Sequence, residues 1–274
     1  METIKQPTFL YHLFLDEAGD TTFFGKGKIP NVGENGVSNC FILGMLKINE
    51  PLPALRTKVL ALQNQIALDP YFKNVPSIQK KNNSTGYFLH AKDDVPEVRK
   101  MAYEFIQNID CSFEAVVGRK IYGIYEKKHN GKEAEFYADL LAHLLKNKLN
   151  DFDNLVLNIA HRSKCTTHTN LNIGLEKAID ISRNKNPDKC NCCKIVFNVQ
   201  YPTTEPLLNI SDYFLWALQR LFERGETRYY DFICEKFSFI LDVYDKTNTV
   251  EAIYTYSNKL TSENIINKKS PSSH

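Results

Sequence analysis

The sequence predicts an α/β fold: a mixed sheet of the ribonuclease H-like type with helices on both faces. In the second half of the chain, strand-like apolar runs alternate with stretches of helical periodicity, which favours helices packed on a sheet. In the first half, two apolar runs are joined by a glycine-containing loop, which indicates an antiparallel pair of strands. The first strands are therefore expected to be antiparallel and the later ones parallel.

The composition of the chain is typical of a globular protein without a membrane span. The chain has 274 residues, of which 43% are hydrophobic and 24% charged, so it is long enough to bury a full core. The net charge is only +2, so the protein as a whole is not strongly basic, and any surface that binds nucleic acid must be a local basic patch. No apolar stretch approaches the roughly 18 residues of a membrane span, and we expect no signal peptide. Seven cysteines without a framework spacing fit a reducing compartment. We expect a cytoplasmic protein without a membrane partner, and the oligomeric state stays open.

The elements of the first half follow from apolar runs and proline positions. Strands are predicted at residues 9–15, 40–48, 87–90 and 111–117. A helix opened by Pro51 and Pro53 buries a stripe of four aliphatic side chains, Leu55, Val59, Leu62 and Ile66. Residues 73–86 are polar and predict a loop, and Asp93 or Asp94 is expected to cap a helix that has Pro96 near its first turn.

In the second half, periodicity predicts helices at residues 133–149, 171–181, 207–223 and 228–240. Strands are predicted between them, at residues 155–160 and 195–199. We expect residues 1–261 to form one domain with insertions, and residues 262–274 to be a disordered polar tail.

Three carboxylates crowd the end of the first strand. Asp16, Glu17 and Asp20 follow an apolar run at once. Carboxylates held this closely repel one another, and a divalent cation is the simplest way to hold them together. Oxygen ligands at this density suit magnesium or manganese. The alternative is a solvated acidic turn after an edge strand.

A fourth carboxylate, Asp212, is set in the strongly apolar helix predicted at 207–223. A buried carboxylate needs a partner, because an unpaired buried charge is costly. The helix N-terminus or Arg220 would be a structural partner. A metal held jointly with Asp16 would be a functional one, and it would let the two acidic sites explain each other.

These two motifs resemble the DUF3800 family. The matching residues are Asp16, Glu17, Gly19 and Asp20 in the first motif, and Ser211-Asp212 in the second. The order of elements fits over residues 8–245. The resemblance implies a ribonuclease H-like fold with an acidic metal site, in which carboxylates bind metals that activate water for phosphodiester cleavage. Asp16, Glu17, Asp20 and Asp212 are then the expected catalytic residues, and Asp16, Asp20 and Asp212 the expected metal ligands.

The chain departs from such a site in its middle strand. That strand or its following loop should supply a carboxylate, but residues 155–162 contain none, and Asn158, His161 and Arg162 stand there instead. His90 or Asp93 could complete the site, although His90 could also be a strand-end histidine bonded to the backbone. Lys92 is a candidate phosphate contact.

Two further clusters are candidates for binding. Arg119 and Lys120, with Lys127 and Lys128, are interleaved with Tyr122 and Tyr125, a mixture that can hold phosphate and stack on bases or can be an ordinary solvated loop. A second group has the residue types of a zinc site, although its spacing is irregular and reduced thiols are the expected alternative: Cys190, Cys192 and Cys193, with His161, Cys165 and His168.

Two functions remain open on the sequence. The first is a magnesium- or manganese-dependent nuclease or related phosphodiester hydrolase, whose substrate contacts are Lys92, Arg119 and Lys120. The second is a catalytically inactive ribonuclease H-like module that binds nucleic acid or a protein partner. The acidic motifs favour the first function, and the missing carboxylate favours the second.

Overall fold

A computed structural model describes residues 10–146, 148–150, 152–161, 168–185, 193–244 and 253–266. The described strands are β1 (Tyr11–Ala18), β2 (Cys40–Ile48), β3 (Cys111–Arg119), β4 (Asn154–Ala160), β5 (Lys194–Gln200), β6 (Phe237–Asp242) and β7 (Ile253–Tyr254). They form one sheet in the order β5-β4-β1-β2-β3-β6-β7.

The described α-helices lie between these strands in the chain, singly or in groups of two or three, and the last helix follows β7. They are α1 (Leu52–Leu68), α2 (Pro76–Asn82), α3 (Pro96–Gln107), α4 (Tyr122–His129), α5 (Glu133–Leu145), α6 (His168–Lys185), α7 (Pro206–Arg224), α8 (Arg228–Ile233) and α9 (Ser262–Ile266). No helix in these ranges is both long and apolar enough to cross a lipid bilayer.

The sheet is mixed, as the sequence predicts. Strand β2 pairs antiparallel with both β1 and β3. Strand β4 then adds parallel to β1, and β5 parallel to β4. On the other side, β6 adds parallel to β3. The predicted antiparallel first part is confirmed, and β4, β5 and β6 are parallel to their neighbours as predicted, whereas the two-residue β7 pairs antiparallel with β6.

The two faces of the sheet bury separate cores, and strand β1 contributes to both. Phe14 and Ala18 belong to the core beneath α1, α3, α7 and α8. Leu13 and Leu15 point to the opposite face and join the core beneath α5 and α6. The alternation follows from the two-residue period of a strand. It decides which residues of the acidic motif face α7.

Helix α7 lies close against β1 and β2 because Gly44 has no side chain. A Cβ atom at this position would lie 2.3 Å from the Phe113 ring and 2.9 Å from Leu215 of α7. Gly44 is also the register partner of Asp16 across the β1–β2 pair. The close approach therefore brings α7 over the acidic end of β1.

Several predicted elements are wrong in detail. Residues 87–90 form no strand, and the predicted loop at 73–86 contains α2. The helix predicted over 228–240 ends at Ile233, and the chain then enters β6, because the backbone there finds a partner in β3 that helical periodicity cannot reveal.

The predicted disordered tail is also wrong over its first residues. Ser262–Ile266 forms α9, and Ile265 is buried. Residues 267–274 lie outside the described residues. So do Arg162, Cys165, Cys190 and Cys192. Of the predicted zinc cluster, the side chains of His161 and Cys193 are described, and the cluster as a whole is not.

Candidate functional site

A cavity of about 400 Å³ opens where β1, the 87–94 loop and the first turns of α7 meet. The cavity brings together five of the predicted site residues: Asp16, Glu17, Asp20, Lys92 and Asp212. The other two, Arg119 and Lys120, are not among its lining residues. Two acidic motifs almost 200 residues apart in the sequence thus border one space.

Asp16 faces α7. Strand β1 continues to Ala18, so Asp16 lies within the last residues of the strand rather than after its end. Alternation places its side chain on the same face as Phe14 and Ala18. The carboxylate is half-buried, and its Oδ1 accepts a hydrogen bond of 2.8 Å from the Glu17 amide.

Glu17 belongs to the opposite face of the sheet. It borders the cavity and is buried, but by alternation its side chain follows Leu13 and Leu15. Two neighbouring residues of a regular strand cannot both direct their carboxylates toward α7. Asp16 is therefore the better placed of the two to meet Asp212.

Asp212 reaches the cavity because its neighbour anchors the helix. The Ser211 hydroxyl donates a hydrogen bond of 3.2 Å to the Phe14 carbonyl oxygen, which ties α7 to β1. The Asp212 Oδ2 accepts a hydrogen bond of 2.7 Å from the Ala91 amide. Burial raises the pKa of the Asp212 carboxyl, although His90 and the Ala91 hydrogen bond act in the opposite direction. Arg220, the alternative partner, pairs instead with Glu226.

Asp94 does not cap the following helix, which begins at Pro96. Its buried carboxylate accepts hydrogen bonds from the Tyr87 hydroxyl (3.0 Å), the Tyr213 hydroxyl (2.7 Å) and the His90 amide (2.7 Å). These bonds hold the 87–94 loop against α7. The loop thereby presents the Ala91 amide to Asp212 and the His90 ring to the cavity.

Asp20 is held in a different network. Its Oδ1 accepts hydrogen bonds from Lys120 Nζ (2.7 Å) and the Thr22 amide (2.9 Å). Its Oδ2 accepts bonds from the Ser38 amide (2.8 Å) and hydroxyl (2.9 Å). Burial by itself would raise the pKa of Asp20, but the bonds from Lys120 and Ser38 outweigh it and hold the pKa below its ordinary value. The geometry makes Asp20 and Lys120 a structural pair that closes the turn after β1.

The predicted basic-aromatic segment is divided: Lys127 and Lys128 are exposed, whereas Arg119, Lys120 and Tyr125 are engaged inside the protein. Arg119 Nε donates a hydrogen bond of 2.8 Å to the buried Asp242 carboxylate, and the Lys120 side chain is fully buried. Tyr125 lies in α4 and stacks on Phe23 with ring centroids 3.8 Å apart. Of the predicted substrate contacts, Lys92 is exposed at the cavity, whereas Arg119 and Lys120 are engaged elsewhere.

The same face of α7 carries further residues that the sequence interpretation missed and that line the cavity together with Asp212: Asn209, Trp216 and Gln219. These positions follow helical spacing, so they lie on one stripe. Asn209 is 1% exposed, and neither atom of its amide has a hydrogen-bond partner in the part of the chain that the structure describes. A polar residue three positions before Asp212 on an apolar helix was the available signal.

At the end of β4, Ala160 and the following His161 line the cavity, at the place where a middle carboxylate was expected. Over the described ranges, no group of three or more His, Cys, Asp or Glu side chains is arranged to hold a metal ion. Glu17 and Asp20 also border this cavity, but the Glu17 side chain follows the opposite face of β1, and Asp20 accepts hydrogen bonds from Lys120 and Ser38.

Comparison with known proteins does not assign the chain to a family. No protein-family model matches the chain. No curated protein matches its sequence. The DUF3800 resemblance therefore stays a prediction from the two motifs.

Proposed function

We propose that the chain is a metal-dependent nuclease or related phosphodiester hydrolase. The observation that carries the proposal is that Asp16 of β1 and Asp212 of α7 border one cavity, with Lys92 exposed at its edge. Carboxylates with a nearby cation are the groups that metal-assisted phosphoryl chemistry requires. The proposed site consists of Asp16 and Asp212 as metal ligands and Lys92 as a phosphate contact.

We also propose that the α/β sheet is ribonuclease H-like. Support comes from the antiparallel run of β1, β2 and β3, followed by β4 and β5 added in parallel beside β1. In this arrangement the first strand is central, and its acidic end lies next to the end of β4. The proposed site occupies that position.

The donor set fits a hard divalent cation. Asp16 and Asp212 offer carboxylate oxygens, which suit magnesium or manganese. The pKa of Asp212 is raised by burial, so its charged form is held at a cost that a bound cation would offset. A cation bound there would supply Lewis-acid stabilisation of the scissile phosphate and activation of water.

The chain's own residues would orient this chemistry. The Ala91 amide fixes one oxygen of Asp212, and Ser211 fixes the helix that carries it. Lys92, on the loop held by Asp94, would bind a phosphate oxygen and offset its charge. Asp20 is left out as a ligand because both of its oxygens already accept hydrogen bonds.

A second candidate function is a catalytically inactive module that binds nucleic acid or a protein partner. Two observations favour it: the described residues contain no three-membered group of acidic, His or Cys ligands, and Ala160 and His161 border the cavity after β4. A site with few ligands could retain binding without turnover.

Cleavage assays separate the two functions. Single-stranded and duplex DNA and RNA are incubated with magnesium or manganese. We expect weak activity that prefers manganese, since magnesium demands stricter octahedral geometry. Asp16→Ala and Asp212→Ala should each abolish it, whereas Asp231→Ala, on the exposed side of α8, is the matched control and should not.

The assay has two contrary outcomes. Activity that persists in both cavity variants would place the chemistry elsewhere or in a contaminant. No cleavage of any substrate, together with retained nucleic-acid binding, would favour the inactive module.

A further inference from the structure

The amide of Asn209 is buried and unsatisfied at the wall of the candidate cavity. The side chain is 1% exposed, and neither Nδ2 nor Oδ1 has a hydrogen-bond partner among the residues described. Leaving a buried polar group unpaired is unfavourable, and such groups are rare in folded proteins. A group of this kind bordering a cavity indicates that something from the cavity completes it.

Helix geometry places Asn209 beside Asp212. Residues three apart on an α-helix are neighbours, with Cβ atoms roughly 5–6 Å apart. Helical metal sites use this spacing, because two side chains from successive turns can converge on one ion. Both residues border the cavity that also contains Asp16.

We propose that Asn209 is a metal ligand, whose amide oxygen joins the carboxylates of Asp16 and Asp212 around one magnesium or manganese ion. The inference rests on the proposed function, in that it concerns the same site and the same class of cation. Side-chain carbonyl oxygen is a suitable ligand for these hard ions. The Asn209 amide then takes the place of the carboxylate that β4 does not supply.

The charge of this ligand set matches the charge of a divalent cation. Two carboxylates and one neutral amide neutralise a divalent cation without excess negative charge. The remaining coordination positions stay available to water or to a phosphate oxygen. Over the described residues, no group of three or more His, Cys, Asp or Glu side chains is arranged to hold a metal ion, and a set of two carboxylates and one amide is compatible with that finding.

Manganese titration calorimetry with the full chain tests the proposal without requiring activity. Asn209→Leu removes the oxygen at similar size, and we expect manganese affinity to fall at least tenfold. The metal-free variant should melt no lower than wild type, because an unpaired buried amide is replaced by an apolar group. Asn209→Asp should bind manganese more tightly than wild type, because it adds a negative charge at the ligand position.

Gln219→Leu is the matched control. Gln219 borders the same cavity from the same helix, but it lies roughly 10 Å along the helix axis from Asp212 at 1.5 Å per residue. Its manganese affinity should stay within twofold of wild type. Equal losses in both leucine variants would indicate a general effect on the cavity and would overturn the assignment of Asn209.

The outcomes separate this inference from the proposed function. If wild type and Asn209→Leu bind manganese equally, Asn209 is not a ligand, while the hydrolase proposal stands. If wild type binds manganese through Asn209 but cleaves nothing, the hydrolase proposal fails and the ligand assignment stands. If wild type binds no manganese, both are overturned.

Discussion

The Ser211 hydroxyl donates a hydrogen bond of 3.2 Å to the carbonyl oxygen of Phe14, in the buried contact between α7 and β1. Ser211 immediately precedes Asp212, and Phe14 lies two residues before Asp16 on the same face of β1. This hydrogen bond between two non-catalytic residues therefore ties together the two segments that carry the carboxylates. This contact gives the serine of the second motif a physical role.

Replacing Ser211 by alanine should destabilise the fold moderately. The variant loses a buried hydrogen bond and leaves the Phe14 carbonyl with one fewer donor, so we expect a loss of about 1 kcal/mol in the free energy of unfolding. Manganese affinity should fall as well, because α7 is less firmly placed on β1. Urea denaturation and calorimetry measure the two effects. A variant that loses stability but keeps full manganese affinity would show that the bond does not position the site.

Replacing Asp16 by asparagine should abolish the stabilisation by manganese without destabilising the metal-free fold. Without metal, the variant should be as stable as wild type or more so, because one of the crowded negative charges is removed. At manganese concentrations that are about 100 times the wild-type dissociation constant, wild type should gain about 2.7 kcal/mol, and the variant should gain little. Thermal melts with and without manganese measure this gain. Equal gains in the two proteins would exclude Asp16 as a ligand.

Replacing Asp20 by asparagine should destabilise the metal-free fold and leave the manganese affinity unchanged. The substitution leaves the fully buried Lys120 ammonium without its carboxylate, so we expect a loss of about 2–3 kcal/mol even without metal, discounted for the partial exposure of Asp20. If the wild-type protein binds manganese through Asp16 and Asp212, the folded variant should retain that affinity. Unchanged stability would mean that the Asp20–Lys120 pair does not hold the turn.

The stabilisation by Asp20 should depend on pH in a defined direction. Its pKa in the folded protein is lowered from the ordinary value of 3.8. The contribution is therefore complete above that value and is lost as the pH falls through the lower pKa of the folded state. The stability difference between wild type and Asp20→Asn should be constant near neutral pH and shrink in acid.

Asp212 should show the reverse dependence. Burial raises its pKa in the folded protein above the ordinary value of 3.8, so the ionised carboxylate costs stability at neutral pH. In metal-free protein, Asp212→Asn should be more stable than wild type near pH 7. This advantage should decrease as the pH falls through the raised pKa, because wild-type Asp212 then becomes neutral in the fold. Denaturation series from pH 7 to pH 4 measure the difference, and a pH-independent difference would contradict it.

Local sequence signals were sufficient for the elements that carry the first motif. The apolar run before Asp16 predicted β1, and the run at Cys40–Ile48 predicted β2 with its observed bounds. The aliphatic stripe of α1 and the apolar length of α7 were likewise readable, because periodic burial is encoded within one element. The same local patterns identified Asp16 and Asp212 as unusual positions.

Local signals failed where distant contacts decide the structure. Phe237–Asp242 became a strand because β3 offered its edge, although its apolar residues also fitted a helix. The 87–90 segment lost its predicted strand, because Asp94 and two tyrosines hold it as a loop. Strand β3 and Tyr213 lie far in the sequence from the segments that they contact, so a local window contains neither of them. The Tyr87–Asp94 hydrogen bond is local, but the apolar pattern of residues 87–90 does not reveal it.

By itself, the sequence determined an α/β chain with two acidic motifs, because strand and helix periodicity and the placement of carboxylates in apolar segments are local properties. Only the tertiary structure decided that Asp16 and Asp212 share a cavity, that Asp20 and Lys120 pair with each other, and that Asn209 lies buried beside Asp212. The physical reason is that the first and third results depend on how α7 packs on β1, and the second depends on how the sheet brings the end of β3 beside the turn after β1. The packing of α7 on β1 requires the close approach at Gly44 and the hydrogen bond from Ser211 to Phe14. It also requires that the side chains of β1 alternate between the two faces of the sheet.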